Sequence, residues 1–292
     1  MISTTRPFAL LCATLFAAAA SYAADKKGDD DARWVKGPAK ADLKGVAEIQ
    51  VTTGQRFADA AFTQELIRAA GNPVSGNEAG LLINEKDDWS VIFRFADIGY
   101  VKDDDKDKLD ADKLLQSYKD GTEAANEVRR KNGAPPLTVL GWEKKPAYDE
   151  ATHNLEWALR AESRGRQILN YNVRLLGRKG VMEVILIVEP ERLEKTLPDF
   201  RTLITGFAYK QGERYAEYKQ GDKVAKYGLA ALVLGGSAAI AAKLGFFGWI
   251  AVMFKKVWKL VVVVVVAIGA GIKRLIFGKE RVSTEEPPPV NR

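Results

Sequence analysis

The residues best suited to chemistry lie in one stretch of the chain, where Glu143, Asp149, His153 and Glu156 surround a predicted turn. Two carboxylates with an imidazole nearby could exchange protons with a substrate, and Glu143 and Glu156 would be the partners in that exchange. The pattern is compatible with a small-ligand-binding or hydrolytic site built from these four residues. They are therefore the candidate site residues of this sequence.

The same stretch also has a structural interpretation as a strand–turn–strand corner. In this interpretation Trp142 and Trp157 pack into the core, Asp149 and Asn154 cap the turn, and His153 rests on the surface. A lone histidine in a hairpin rarely does chemistry. We therefore favour the structural interpretation and assign no catalytic residue.

The remaining motifs predict no cofactor and no metal site. The sequence has no phosphate-binding glycine loop, no nucleophile elbow and no zinc-protease motif. One cysteine and one histidine exclude an internal disulfide and a Cys-rich zinc module. The acidic run at 103–107 resembles a calcium loop, but Lys108 and Leu114 stand where its glycine and its bidentate glutamate belong. We interpret this run as a surface turn.

A group of basic residues on predicted strands could form an anion-binding face. Arginines at alternate strand positions usually lie on a solvated face beside acids, so we interpret this group as structural. Its members are Arg160, Arg164, Arg166, Arg174, Arg178 and Lys179.

The positive charge of the chain is confined to its C-terminal end. The 292 residues carry a net charge of +6, with 44 basic and 38 acidic side chains. From Lys255 onward, basic side chains clearly outnumber acidic ones, and without these residues and Arg6 the remaining charges balance. A neutral central domain argues against nucleic-acid binding, and basic residues beside apolar segments are typical of membrane-surface contacts.

The N-terminal residues 1–23 have the layout of a secretory signal peptide. Arg6 precedes an apolar run from Phe8 to Ala20, and the small residues Ser21 and Ala23 precede a plausible cleavage site. The charged stretch 24–41 then predicts a flexible lead-in.

The C-terminal residues 225–276 predict a membrane anchor of one or two spans. Residues 227–254 contain one charged side chain, Lys243, and a second apolar run follows at 260–272. Each run is close to the ~20 residues that cross a bilayer. The number of spans stays open, and residues 277–292 predict a polar tail.

The basic block between the two apolar runs predicts the orientation of the anchor. Lys255, Lys256 and Lys259 prefer the cytoplasmic face of a membrane. The central domain would then lie in the periplasm, attached to the bacterial inner membrane. A second span would return Lys273 and Arg274 to the outside, which the same preference disfavours.

Residues 42–222 predict an exported α+β domain, a mostly antiparallel sheet with packed helices. A helix over 111–131 is indicated by the N-cap residue Asp110 and by basic residues in its last turn. Gly76 and Gly80 predict a loose connection. The other predicted elements are strands at 47–51, 89–95, 137–143, 155–161, 168–176 and 181–188, a turn at 146–152, helices at 57–70 and 191–198, and a strand or helix near 203–209.

Several stretches resemble a membrane-anchored prokaryotic family known as domain of unknown function 2167. They are WSVIFRFADIGYVKDDD, LDADKLLQSYKDGTEAANEVRRKNG, LTVLGWEKKPAYDEATHNLEWA, NYNVRLLGRKGVMEVILI and GDKVAKYGLAALVLGG. The resemblance covers residues 42–275 and implies a signal sequence, an exported domain, a C-terminal membrane segment and no established activity. The order of elements in the second half also resembles the PsbP and Mog1 type of α+β sandwich.

These observations predict a membrane-anchored, periplasm-facing module that acts as a non-enzymatic interaction protein in envelope maintenance or stress. Its expected partners are the lipid bilayer and either another membrane protein or a second copy of itself. The alternative is an exported ligand-binding or hydrolytic domain that uses Glu143, Asp149, His153 and Glu156. A channel or transporter is disfavoured, because Lys243 is the sole ionisable residue of the first predicted span.

Overall fold

The computed structural model describes residues 31–69, 74–87, 89–131 and 135–235. These residues all belong to one compact unit of the chain. The predicted signal peptide, the predicted polar tail and the part of the predicted anchor that follows residue 235 lie outside the described residues.

The described residues form strands arranged in two antiparallel sheets, together with four α-helices. The strands are β1 (Val35–Lys36), β2 (Ala39–Leu43), β3 (Ala47–Val51), β4 (Gln55–Asp59), β5 (Glu78–Asn84), β6 (Trp89–Ala96), β7 (Thr138–Asp149), β8 (Asn154–Ser163), β9 (Arg166–Leu176), β10 (Val181–Ile187) and β11 (Phe207–Tyr209). The helices are α1 (Ala60–Ala69), α2 (Ala111–Lys131), α3 (Leu193–Thr205) and α4 (Leu229–Val233).

The larger sheet has eight strands in the order β1-β4-β5-β6-β10-β9-β8-β7, and the smaller sheet has the order β11-β3-β2. Neighbouring strands pair antiparallel in both sheets. The prediction of an α+β fold with a mostly antiparallel sheet and packed helices is therefore confirmed.

One face of the large sheet is covered by the small sheet and by α3. Alternate residues of a strand point to opposite faces, so each buried strand supplies this core with every second side chain. Phe57, Phe93 and Tyr171 from the large sheet pack here with Ile49 from β3 and Phe200 from α3. The rings of Tyr171 and Phe200 meet edge to face at 5.6 Å.

The opposite face is covered in two parts. Helix α1 packs Phe62 and Leu66 against β4, β5 and β6. The rest is covered by α2 and by residues 213–235, which we name the C-terminal strap. The strap contributes Tyr215, Leu229, Leu232 and Val233 to a core that also contains Trp157.

Helix α2 has the bounds that the sequence predicts. Its N-cap is confirmed, because the amide of Lys113 donates to Oδ1 of Asp110 at 3.1 Å. Helix α3 differs from its prediction, since it continues through Pro198 to Thr205 instead of ending at the proline. Burial of Leu193, Phe200 and Leu203 on one face outweighs the local cost of the proline.

Other boundaries also differ from the predictions. The predicted lead-in at 24–41 extends too far, because β2 begins at Ala39 and Trp34 is buried against Phe62 of α1. The predicted helix at 57–70 begins at Ala60, since Phe57 lies in β4. The predicted loose connection at Gly80 is wrong. It lies in β5, a buried strand that the sequence analysis missed.

Within the described residues, no helix combines the length and the apolar character that crossing a membrane requires.

The close contact between Gly80 and Phe57 gives a test of the sheet packing. A Cβ atom at Gly80 would lie 2.2 Å from Cζ of Phe57, a side chain with 1% exposure. We expect Gly80→Ala to lower the free energy of unfolding by about 1–3 kcal/mol, because the core must shift to admit a methyl group.

The matched control is Gly141→Ala in β7, where an added Cβ meets no atom within 4 Å. This change is expected to alter stability by less than about 1 kcal/mol. Chemical denaturation of both variants measures the difference, and equal stabilities would contradict the packing described here.

Candidate functional site

The predicted site residues lie on the hairpin of β7 and β8. Asp149 and Asn154 face each other across the strands, so the turn occupies residues 150–153. The predicted turn at 146–152 is therefore placed too early, and Pro146 belongs to β7. Three irregularities in the pairing of β7 with β8 let this edge strand admit a proline.

The large sheet separates the four candidate residues into two groups. Glu156 bonds to Tyr171, which belongs to the core beneath the small sheet. His153 stacks on Tyr215, which belongs to the core beneath the C-terminal strap. The structure therefore does not place His153 near Glu156, as the predicted proton transfer between Glu143 and Glu156 with His153 nearby would require.

The two glutamates lie on the face of the sheet that α3 covers. Nε of Arg160 donates to Oε2 of Glu143 at 2.7 Å. Glu156 accepts hydrogen bonds from Lys144 and from the hydroxyl of Tyr171. Each carboxylate thus acts as the counter-ion of a cationic side chain.

A shallow cavity of about 310 Å³ lies beside these glutamates. Burial of Tyr171, and then its hydrogen bond to the Glu156 carboxylate, raise the pKa of the tyrosine. The phenol therefore remains a proton donor at neutral pH. The cavity is lined by Glu143, Lys144, Tyr171, Leu193, Glu194, Leu197 and Arg201.

His153 lies at the turn on the other face of the sheet. Its Nδ1 is 3.0 Å from the hydroxyl of Tyr148, and that hydroxyl donates to Oδ2 of Asp103 at 3.0 Å. The imidazole stacks on Tyr215 with ring centroids 4.3 Å apart. His153 is half-buried, so the prediction that it rests on the surface is only partly right.

Tyr148 and Asp149 have structural roles beside His153. Burial of Tyr148, followed by its hydrogen bond to Asp103, raises the pKa of the phenol. Asp149 accepts the amide of Ala151 at 2.9 Å, and this bond is the first cause that lowers the pKa of its carboxyl. The predicted turn cap at Asp149 is therefore present.

The two tryptophans predicted to pack into the core, Trp142 and Trp157, are buried to different extents. Trp157 is 1% exposed, as expected for a core residue. Trp142 is half-buried, and its indole N–H donates to the carbonyl of Ala111 at the start of α2 at 2.9 Å. Trp142 thus ties the edge strand to the helix.

Several residues of the predicted basic face pair with acidic side chains. Arg178 bonds through two nitrogens to the carboxylate of Asp222, at 2.7 and 2.8 Å. Lys179 pairs with Glu213. Arg174 is buried rather than solvated, and its guanidinium lies 4.8 Å from the ring centroid of Trp157.

The acidic run has a role that the sequence analysis missed. Oδ1 of Asp105 accepts the amide of Leu229 at 3.0 Å, and Oδ2 accepts the amide of Ala230 at 3.3 Å. A carboxylate at this place satisfies free amides at the start of α4. A Cβ atom at Gly228 would lie 2.6 Å from Oδ1 of Asp105, so a residue without a side chain suits this position.

The strap is also held by backbone and side-chain bonds. Tyr100 exchanges backbone hydrogen bonds with Lys223 and Ala225, each at 2.8 Å. Further along, the buried hydroxyl of Tyr118 in α2 donates to the carbonyl of Val233. The last described residues of the chain are therefore fixed to the domain at several points.

Among residues 31–235, as far as they are described, no group of three or more histidine, cysteine, aspartate or glutamate side chains is arranged to hold a metal ion.

The fold defines an α+β protein of two antiparallel sheets with packed helices. The sequence model of the family described as "Protein of unknown function (DUF2167)" matches residues 35–269. The chain belongs to this family, in agreement with the resemblance of its sequence motifs.

Two further comparisons complete this description. A comparison with curated proteins finds no match. Among solved structures, the chain is similar to cyanobacterial PsbP (CyanoP) from Synechocystis sp. PCC 6803, with 13% sequence identity and a TM-score of 0.33. The aligned part covers 61% of this chain and 91% of that chain.

The ion pair between Arg178 and Asp222 predicts an acid-sensitive contact. Hydrogen bonds from Arg178 lower the pKa of Asp222 from 3.8 to about 2. Because the folded-state pKa is lowered, this stabilisation is present above 3.8 and is lost as the pH falls toward about 2. We expect Asp222→Asn to flatten the loss of stability in this window, measured by circular dichroism during acid titration. Equal slopes for variant and parent would contradict the assignment.

Proposed function

We propose that the chain is a membrane-anchored module of the bacterial inner membrane whose main domain faces the periplasm. It is a non-enzymatic interaction protein in envelope maintenance or stress. The N-terminal signal-like segment supports export, and the apolar runs with basic flanks after residue 235 support the anchor.

One observation carries this proposal: the first residues of the predicted anchor are part of the domain core. Leu229 and Val233 have no exposed surface, and Leu232 is 5% exposed. Residues 225–235 therefore pack on the sheet, and we restrict the proposed anchor to the residues that follow them. Residues 236–254 remain for a span, close to the ~20 residues that cross a bilayer.

Contacts within the domain hold the residues that precede the proposed anchor. Asp105 caps α4, and Tyr118 bonds to its last turn. The proposed span therefore follows directly in the sequence after a segment held by the domain, which suits a module that acts at the membrane surface.

The surroundings of the candidate carboxylates support an interaction role over catalysis. Glu143 and Glu156 are bound to Arg160 and Lys144, and the sheet lies between these glutamates and His153. The alternative ligand-binding or hydrolytic function of this corner stays a prediction. The partner would be a membrane protein or a second copy of the chain.

The finer assignment of the fold also remains part of this proposal. The order of strands and helices in the second half of the domain supports a sandwich of the PsbP and Mog1 type, followed by a C-terminal transmembrane helix or hairpin.

Membrane fractionation tests the anchor. We expect the full chain to stay with membranes after a high-salt wash and to be released by detergent, because the apolar runs are buried in lipid. A chain that ends at Gly235 keeps α4 and its cap, so we expect it to fold and to be recovered from the periplasmic fraction.

The melting temperature of the shorter chain checks that it is folded. Release of the full chain from the membranes by salt alone would overturn the proposal.

A further inference from the structure

A second, larger cavity lies far from the candidate carboxylates in sequence, between the end of α3 and the turns that follow β3 and β5. Its volume is about 590 Å³, within the range of about 300–1,000 Å³ that is common for small-molecule sites. We name it the polar groove. Its lining consists of Gln50, Thr52, Thr53, Gln55, Asn84, Lys86, Asp87, Asp199, Thr202, Leu203, Thr205 and Gly206.

Two amide side chains stand side by side in this groove. Gln55 and Asn84 are register partners on β4 and β5, and they are 7% and 8% exposed. The carbonyl oxygen of Gln55 accepts the amide of Thr52 at 2.9 Å. The side-chain oxygen of Asn84 accepts hydrogen bonds from the backbone amides of Lys86 and Asp87, both at 3.0 Å. These bonds fix which end of each side chain is the oxygen.

The NH₂ groups of Gln55 and Asn84 are consequently fixed as well. Each NH₂ group can donate two hydrogen bonds. Within the described part of the chain, neither group donates to a protein acceptor. Both residues line the cavity, and a pair of oriented donors in a cavity is suited to an acceptor from a ligand.

The helix side of the groove offers the opposite chemistry. The hydroxyls of Thr202 and Thr205 donate to the carbonyls of Pro198 and Arg201, both at 3.0 Å. Their oxygens therefore face the groove as acceptors. A ligand between the two sides would accept hydrogen bonds from the amides and donate hydrogen bonds to the hydroxyls.

The charges around the groove give an anion no net attraction. The lining contains the carboxylates of Asp87 and Asp199 and the ammonium of Lys86, and Nζ of Lys195 lies 3.5 Å from Oδ1 of Asp87. These two carboxylates and two ammonium groups balance, so a carboxylate or phosphate ligand would meet no excess of positive charge. Leu203 is the one apolar side chain of the lining, so binding would depend on polar contacts.

We infer that the polar groove binds an uncharged saccharide unit. A sugar hydroxyl both accepts and donates hydrogen bonds, and adjacent hydroxyls of one ring match the paired amides of Gln55 and Asn84. Without an aromatic platform among the lining residues, the affinity for a single short saccharide is in the millimolar range. This site is independent of the membrane anchor.

Ligand-observed NMR titration of the full chain tests the inference. The protein is kept in a detergent without a sugar headgroup, since such a headgroup would compete for the groove. The probes are N-acetylglucosamine and maltotriose, with glucuronate and inorganic phosphate as anionic counterparts. We expect at least one neutral saccharide to bind and neither anion to bind more tightly.

Isosteric variants locate the binding. Asn84→Asp and Gln55→Glu keep the oxygen that holds the turn and replace the NH₂ donor with an acceptor, so each is expected to weaken saccharide binding by about tenfold or more. Thr202→Val lies on the exposed side of α3 and removes one acceptor without entering the core, so a loss of about threefold to tenfold is expected.

The matched control is Gln167→Glu on β9, where the side-chain oxygen accepts a bond from Arg160 and lies outside the groove. It should leave binding unchanged. Absence of binding by both saccharides would overturn the inference. So would tighter binding of an anion, or binding that Thr202→Val and Asn84→Asp leave intact while both variants melt like the parent.

Discussion

The C-terminal strap covers part of one face of the eight-stranded sheet, and the core on that face depends on this contact. Trp157, Leu155 and Val181 point to that face and are almost fully buried. Helix α2 covers part of it, and Leu229 and Val233 complete the cover. Burying each such side chain stabilises a fold by about 1.5–3 kcal/mol. Removing the strap would expose this surface, so the strap and the sheet are parts of one folded unit.

The acidic run at 103–107 contributes to the same contact between the strap and the rest of the domain. Its sequence resembles a calcium loop, yet Asp105 accepts two amides of α4 and Asp103 accepts the hydroxyl of Tyr148. One short loop thus connects the β7–β8 turn to the segment that leads out of the domain. Hydrogen bonds to Tyr148 and to α4 account for the position of these two carboxylates.

The sequence predicted the elements whose signals are local. The bounds of helix α2 are predicted correctly because its N-cap and the basic residues of its last turn both act within a few residues. Strands β4 and β5 were missed, because Gly80 suggests a loop and only its packing on Phe57 explains it.

The candidate site was harder to predict, because the pairing between strands determines which side chains lie on the same face of the sheet. His153 belongs to the turn and has a left-handed φ of 54°, so the alternation of side chains along β8 does not extend to it. The pairing of Gln55 with Asn84, and of Asp105 with α4, joins distant parts of the sequence and leaves no local pattern.

Hydrogen exchange at the start of α4 in the full chain tests the central claim most directly. If Asp105 and the sheet fix the strap, the amides of Leu229 and Ala230 will exchange as slowly as those of β8 and β9. Asp105→Ala will then speed their exchange and leave the sheet protected, since loss of a cap costs about 0.5–2 kcal/mol. Exchange of these two amides at the rate of an unfolded chain in the parent protein would contradict the account.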